Sequence, residues 1–247
     1  MKRLIYCIVC VLCVSSCTLD NYDGPSETFR GTITDSISGR GFETEVGDDG
    51  VQFKMLETSY CANPTPWFLT CCQNGTFQDT KVFNGNYNIT PYGAFVPFVE
   101  TGNNGKITKD KSVNLKISGT VSHNFIVEPF LEVTWVGEPT VSNNQIKVQV
   151  KIERGTSNPN YQQKCTDVFL FINSSSPYVS SNNYDSRISV SLSGSAAKTA
   201  PGSVVTLTSN KVTSGMTYYV RVGARIDYAT NGVKRYNYNE PKSIVVP

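Results

Sequence analysis

Few residues in this sequence could carry out catalysis. Its single histidine, His123, stands in the strand-like stretch GTVSHNFIV, so a Ser-His-Asp or Cys-His site would have to be built around that one position. The densest acidic pairs, Glu43 with Glu45 and Asp48 with Asp49, occupy a polar, turn-rich segment typical of solvated loops rather than of the paired carboxylates of a glycosidase. The GDDG turn also lacks the residue pattern of a calcium-binding loop. The sequence therefore predicts a protein that is not an enzyme, with no catalytic residues, metal site or cofactor.

Four cysteines beyond the N-terminal segment could form disulfides: Cys61, Cys71, Cys72 and Cys165. In an oxidising compartment four thiols allow three full pairings. Because a bridge between adjacent Cys71 and Cys72 would be a strained ring, we expect Cys61 to pair with one of them, which would contribute ~2–3 kcal/mol by closing a loop. A zinc site is the alternative, but CxxC spacing and a nearby histidine are lacking. No histidine stands beside these thiols to activate one as a nucleophile.

Two aromatic segments are candidates for binding sugar. Sugars present apolar C–H faces as well as hydroxyls, so exposed rings beside Asn, Asp or Arg suit them. In YCANPTPWFLT, two prolines should prevent regular strand pairing and expose the loop. DYATNGVKRYNYNEP should form a long hairpin. The candidate residues are Tyr60, Trp67 and Phe68 in the first segment and Tyr228, Arg235, Tyr236 and Tyr238 in the second. The alternative is that these rings plug one end of a sandwich or pack within strands.

The first sixteen residues have the pattern of an export signal peptide, in which Lys2 and Arg3 precede an uncharged run of eleven residues, 4–14. A helix of that length spans only about 16 Å, roughly half of the ~30 Å hydrocarbon core, so it should not span the membrane. The VSSC stretch at 14–17 resembles the bacterial lipobox, which implies that the thiol of Cys17 is lipidated and that Cys17 begins the mature chain. An ordinary secretory signal is the alternative.

A lipidated Cys17 would anchor the protein to a membrane. A multiply acylated cysteine holds a domain at the bilayer, at ~0.8 kcal/mol per buried CH₂. The polar stretch TLDNYDGPSE then predicts a tether, which gives a segment of lipidated cysteine and tether over 17–27. Asp20 and Asp23 resemble the acidic residues that mark surface export in Bacteroidetes lipoproteins. The resemblance implies a lipid-anchored protein of the outer membrane, exposed at the cell surface.

Composition favours two all-β domains. Without Lys2 and Arg3, the basic residues fall from 22 to 20 and equal the 20 acidic residues, so the mature chain is close to neutral. The longest basic run is Lys234-Arg235, which argues against nucleic acid as a partner. Short alternating runs end at Gly, Asn or Pro, which is typical of β-strands. A mature chain of about 230 residues suits two domains of roughly a hundred residues each.

The first domain, 28–128, resembles the carboxypeptidase regulatory-like, transthyretin-type β-sandwich. The motifs that carry the resemblance are GTITD, GTF and GNY, which begin at Gly31, Gly75 and Gly85. Their glycines permit tight turns, and Phe77 and Tyr87 should point into the core.

The second domain, 129–247, resembles an immunoglobulin-like sandwich of fibronectin type III type. Tyr218, Val220 and Val222 alternate as in the F strand of such domains, which implies that the hydroxyl of Tyr218 is bonded to the backbone at a tyrosine corner. Trp135 lies on an early strand, and we expect it in the core rather than on a ligand platform.

A wider resemblance joins these parts. The ordered set of the lipobox, YDGP, the GTF turn, NITPYGAFVPF and FIVEPFLEV is similar to a two-domain family of Bacteroidetes lipoproteins, domain of unknown function 3823. Members are typically encoded beside SusC/SusD-type glycan importers, which implies a role in polysaccharide utilisation. The stretch YCANPTPWFLTCC departs from the family pattern, and the family carries no assigned activity.

The functional hypothesis is a non-catalytic cell-surface lipoprotein that assists binding or uptake of a polysaccharide or oligosaccharide beside a SusC/SusD-type, TonB-dependent importer. One alternative is a structural module that docks to that transporter complex, and another is an adhesin-like stalk. Asp35-Ser36-Ile37 resembles the Bacteroidetes O-glycosylation sequon, which implies a glycan on Ser36; a simple turn is the alternative there.

Overall fold

A computed structural model describes residues 23–247 and shows an all-β protein, which confirms the predicted fold class. The signal peptide and the lipidation site at Cys17 lie outside the described residues. Within the described range, no helix has the length and apolar character needed to cross a bilayer.

The first half of the chain folds into an N-terminal β-sandwich. Its strands are β1 (Glu27–Asp35), β2 (Gln52–Glu57), β3 (Trp67–Thr70), β4 (Thr76–Val82), β5 (Gly85–Tyr92), β6 (Val99–Thr101), β7 (Ile107–Asp110), β8 (Val113–Ile117), β9 (Thr120–Ser122) and β10 (Phe125–Val127). One sheet has the order β10-β1-β4, and β9 also pairs with β1. The facing sheet has the order β3-β2-β5-β8, while β6 and β7 form a separate hairpin.

Alternating apolar residues of these strands meet between the two sheets. Phe29 and Ile33 of β1 are fully buried, as is Phe53 of β2, whose ring centroid lies 4.3 Å from that of Phe77. Phe77 and Tyr87 are both in the core, as predicted from the sequence. Burial of each such side chain contributes about 1.5–3 kcal/mol to the free energy of folding. Because alternate residues of a strand point to the same face, each sheet has one apolar face, and the two apolar faces pack together.

The second half forms a C-terminal β-sandwich. Its elements are β11 (Leu131–Trp135), β12 (Thr140–Ser142), β13 (Gln145–Arg154), β14 (Cys165–Asn173), β15 (Val190–Ser193), α1 (Gly194–Lys198), β16 (Ser203–Thr208), β17 (Thr217–Ile226), β18 (Asn237–Tyr238) and β19 (Lys242–Val245), with a 3-10 turn at Pro159–Tyr161. One sheet has the order β11-β13-β12, with β16 also on β13. The other has the order β15-β14-β17-β18, with β19 also on β17.

The tyrosine corner predicted at Tyr218 is present. The backbone N–H of Thr213 donates a hydrogen bond to the Tyr218 hydroxyl over 2.9 Å, and the ring is buried. Val220 and Val222, which alternate with it on β17, are fully buried. The contact ties the start of β17 to the preceding loop, as in other sandwiches of this kind.

Candidate functional site

A buried arginine joins the two sandwiches. Arg221 of β17 has no exposed surface, and its guanidinium donates to the carbonyl oxygens of Thr44 and Asn239 at 2.8 and 2.7 Å. It also donates to the carbonyl of Val179 at 3.3 Å and to the Glu43 carboxylate at 2.7 Å. Burial lowers the pKa of Arg221 and raises that of Glu43, while their mutual attraction opposes both shifts. The N-terminal segment around Glu43 is thereby fixed to the outer face of the C-terminal sheet.

Arg235 forms a second such link. It is only 4% exposed, and its Nε donates to the carbonyl of Gly50 at 2.7 Å. Its Nη2 donates to the Gln52 side chain at 3.1 Å and to the Asp48 carbonyl at 3.2 Å, both in the N-terminal sandwich. Because these acceptors engage the guanidinium inside the protein, Arg235 is a structural residue and not an exposed sugar ligand. That part of the sequence prediction is wrong.

Tyr236 and Tyr238 are also buried, at 7% and 6% exposure. The Tyr238 hydroxyl donates to the Glu45 carboxylate at 3.0 Å, and Arg221 lies over its ring at 4.3 Å. The Tyr236 hydroxyl donates to Asp167. The expectation of an exposed rim is therefore wrong for both rings, because Glu45 of the N-terminal sandwich engages Tyr238, and Tyr236 packs on Phe171 and Arg225 of the C-terminal sheet. Tyr236 and Tyr238 instead pack within the strands, which was the alternative interpretation of the sequence.

Trp67 and Phe68 lie in strand β3, which pairs with β2. The expectation that the prolines before them prevent strand pairing is therefore wrong. Trp67 is half-buried against the Tyr87 ring at 6.4 Å, whereas Phe68 is 40% and Tyr60 63% exposed. Tyr228, in the other segment, packs on Phe130 and on Tyr161 at centroid distances of 5.4 and 5.1 Å.

The four cysteines within the described residues are free thiols, so the expected disulfide is not formed. Cys61 and Cys72 are exposed, but Cys71 is buried and its sulfur lies 4.0 Å from the Gly75 carbonyl. Adjacent residues of extended chain point in opposite directions, which separates Cys71 from Cys72. Burial raises the pKa of Cys71 well above its usual value and that of Cys165 to about 11, so neither is poised as a nucleophile.

A cleft of about 490 Å³ lies between the two sandwiches. From the N-terminal half it is lined mainly by Asp35, Ser38, Arg40, Phe42, Glu43 and Asn74, and from the C-terminal half mainly by Glu132, Trp135, Tyr238, Asn239, Glu240 and Lys242. We call this surface the interdomain cleft. Its position between two packed units is typical of small-ligand sites, and its size is within their usual range of about 300–1,000 Å³.

Trp135 forms one wall of the interdomain cleft. It is half-buried, and its indole N–H donates to the Glu240 carbonyl at 2.9 Å. The Lys242 ammonium lies 5.4 Å from the centre of the ring and 2.7 Å from the Glu138 carboxylate. The ring is thus held by a hydrogen bond and a cation–π contact at the point where β11 leaves the core. Trp135, which the sequence predicts to lie in the core, therefore lines the interdomain cleft as well.

Asp35 and Glu132 bring two carboxyl groups together in the same cleft. Burial first, and then a hydrogen bond to Asp35 and its charge, raise the pKa of Glu132 to about 8. The Asp35 carboxylate accepts from the Ile37 N–H and from the Ser38 hydroxyl, both at 2.8 Å, within the turn after β1. Ser36, in that turn, is exposed. The pair therefore joins a turn of one sandwich to a strand of the other.

Asn239 supplies an unsatisfied donor at the cleft. Its Oδ1 accepts from the backbone N–H of Val222 at 2.8 Å. Its buried Nδ2 has no hydrogen-bond partner, the one such side-chain atom found among residues 23–247. An unmade buried hydrogen bond costs about 1–3 kcal/mol, and such groups are rare in native proteins.

Comparison with solved structures decides the family. A DUF3823 family protein from Bacteroides uniformis is 36% identical, with a TM-score of 0.84, and the match covers 90% of this chain and 100% of that chain. The chain belongs to the DUF3823 family. The family resemblance seen in the sequence is therefore confirmed.

Two more distant structures share the fold of this DUF3823 protein over 90% of its chain and 100% of theirs. One is a candidate carbohydrate-binding protein from Bacteroides uniformis, with 22% identity and a TM-score of 0.71. The other is a DUF3823 family protein from Parabacteroides merdae, with 20% identity and a TM-score of 0.65. No family model and no curated protein matches the chain.

The remaining candidate residues of the DUF3823 protein do not form a reactive site. His123 packs edge-on against the Phe125 ring, with centroids 4.6 Å apart. Asp48 accepts from the Gln52 side chain at 3.2 Å. Across residues 23–247, no group of three or more His, Cys, Asp and Glu side chains is arranged to hold a metal ion.

Sequence reasoning missed Trp135 as a site residue. Leu131, Val133 and Trp135 share one face of β11, and the first two are buried in the core. The position of Trp135 at the end of the apolar run of β11 could have indicated this role. A large ring at the last inward-facing position of a strand reaches the rim of the sandwich.

Proposed function

We propose that this DUF3823 protein binds carbohydrate without catalysis, in the interdomain cleft, as a lipoprotein anchored through Cys17 at the cell surface. The observation that carries the proposal is Trp135, which presents a fixed aromatic wall within a cavity that is otherwise mostly polar. An indole ring packs well against the C–H face of a pyranose. The candidate carbohydrate-binding protein from Bacteroides uniformis, which shares the fold, supports the same class of ligand.

The polar lining of the cleft supports a ligand rich in hydroxyl groups. Arg40, Asn74 and Glu240 are exposed at the cleft, so their donors and acceptors can reach a ligand. A few polar groups placed around one apolar face are what a sugar site needs to fix orientation.

The arrangement of the carboxyl groups favours binding over hydrolysis. A retaining glycosidase holds its two carboxyl groups ~5 Å apart, and an inverting one holds them farther apart. The proximity of Asp35 helps to raise the pKa of Glu132, and both Asp35 oxygens already accept hydrogen bonds within the turn. The Asp35 carboxylate is therefore already committed to contacts within the protein.

Affinity electrophoresis against a panel of soluble polysaccharides tests this function. The chain has two tryptophans, which supplies a matched control. Trp135→Ala should reduce the retardation seen with the wild-type protein, whereas Trp67→Ala, on edge strand β3, should leave it unchanged. Retardation by no polysaccharide, or equal loss in both variants, would refute the site.

A second function, docking to a membrane transporter, is favoured by a different surface. Strand β3 is at the edge of its sheet and carries the exposed Phe68. An exposed sheet edge can pair with a strand of another protein. Purification of the importer complex with wild-type protein and with Leu69→Pro distinguishes the two functions. Docking predicts that only the wild-type protein is retained, and glycan binding predicts no difference.

A further inference from the structure

A second cavity lies on the outer face of the C-terminal sheet. It has a volume of about 320 Å³ and is lined by the rings of Phe169, Phe171, Tyr184 and Tyr236 and by Glu45, Asp49, Ser181, Arg225 and Lys234. We call it the aromatic pocket. Within the C-terminal half it is built from β14, from the loop before β15, and from the chain leading into β18.

The rings are arranged as a ladder. Phe169 and Phe171 lie parallel, with centroids 4.2 Å apart and planes at 6°, and Tyr184 meets both edge-on at 5.2 and 5.3 Å. Gly223 beneath them makes this possible, because a Cβ there would lie 3.0 Å from the ring of Tyr236. Side chains on the outer face of such a sheet are usually polar, so a ladder of rings beside a cavity needs an explanation.

Arg225 places unused donors beside these rings. Its Nε donates a hydrogen bond to the Asp167 carboxylate at 2.7 Å, and its guanidinium carbon lies 4.5 Å from the centre of the Tyr236 ring. Nη1 and Nη2 make no hydrogen bond within residues 23–247, so the outer edge of the guanidinium offers parallel donors to a ligand. Asp49, an exposed carboxylate in the lining, offers acceptors.

The charges of the aromatic pocket do not favour an anionic ligand. Arg225 is paired with Asp167, and Lys234 is paired with Asp227. The Glu45 carboxylate is engaged by the Ser181 hydroxyl at 2.7 Å. Each cation therefore has an acid partner. What remains is a set of donors, acceptors and ring surfaces, which matches a neutral polyol with an apolar face.

We propose that the aromatic pocket is a second carbohydrate site that takes one neutral pyranose unit. Its volume is at the lower end of the range for ligand pockets, which suits a single ring. It shares no lining residue with the interdomain cleft, although Tyr236 contacts the cleft residue Tyr238 at 5.6 Å. Binding here therefore does not depend on binding in the cleft.

Titration of isotope-labelled protein, followed by NMR, tests the site. The probes are the methyl glycosides of glucose, galactose, mannose and xylose, with the methyl glycoside of glucuronic acid, whose carboxylate is free, as an anionic comparison. At least one neutral glycoside should give saturable shifts in the signals of Phe169, Tyr184 and Tyr236. Tyr184→Ala should weaken this binding about threefold to tenfold through loss of one ring. Trp135→Ala should leave it unchanged, which separates this site from the cleft.

Asp49→Asn serves as a second variant in case Tyr184→Ala fails to fold, because Asp49 is exposed and its replacement keeps the same shape. It should also weaken binding. Saturation by no neutral glycoside, binding of the glucuronate alone, or unchanged affinity in the folded variants would overturn the proposal. If Trp135→Ala abolished the shifts, the signals would report the cleft and the second site would be refuted.

Discussion

Replacing Arg221 with methionine should destabilise the protein by about 3–5 kcal/mol, the usual cost of removing one partner from a buried ion pair. The guanidinium is fully buried and satisfies the carbonyl oxygens of Thr44, Val179 and Asn239 as well as Glu43. Each carbonyl left unpaired costs about 1–3 kcal/mol. The net loss is smaller than the sum of these costs, because the methionine side chain adds apolar packing. In addition, the Glu43 side chain is 23% exposed and can turn toward water.

Urea denaturation followed by circular dichroism measures this loss as a shift of the midpoint with an unchanged slope. Arg187→Met is the matched control, because Arg187 forms an ion pair of the same 2.7 Å length with Asp185 but has a side chain that is 86% exposed. An exposed pair of this kind contributes little to the free energy of unfolding, because water and salt screen it. If the two variants lost the same small amount, the view that Arg221 fastens the sandwiches together would be refuted.

Three further outcomes are expected. The pKa of Glu132 is raised to about 8 in the folded protein, so the stabilisation from protonated Glu132 is present at acid pH and is lost as the pH rises toward 8. Melting temperatures measured from pH 5 to 9 should show this loss in the wild-type protein and not in Glu132→Gln. Gly31→Ala should cost more than about 2 kcal/mol, because a Cβ would lie 1.8 Å from the His123 carbonyl oxygen, whereas Gly24→Ala should be neutral in the same urea titration. Cys71 should react with a thiol reagent only on unfolding, since it is 2% exposed and burial raises its pKa; labelling of Cys71 in native protein, seen by peptide mass mapping, would contradict this.

Features set by local sequence could be predicted. Alternation places Phe29 and Ile33 on the inner face of β1, and the pair Asn74-Gly75 forms a turn in which Gly75 has a φ of +78°. The resemblance to fibronectin type III-like domains implied the hydroxyl contact of Tyr218, which the structure contains. Each depends on a short stretch of chain and on the choice between two faces of a strand.

The candidate sites could not be predicted to the same extent, because they depend on how the two sandwiches pack. Arg221 and Tyr238 lie on the outer face of the C-terminal sheet, and contacts with Thr44 and Glu45 of the N-terminal sandwich help to bury them. No periodicity in either half reveals this contact. The cleft beside Trp135 arises from the same packing.

The most direct test of carbohydrate binding in the interdomain cleft is acrylamide quenching of the Trp67→Phe variant, whose fluorescence comes from Trp135 alone. A polysaccharide that retards the protein in electrophoresis should shield Trp135 and lower the quenching constant. The Trp135→Phe variant, which reports Trp67, should show no change. Retardation with unaltered quenching of Trp135 would contradict the account, since the sugar would then bind elsewhere.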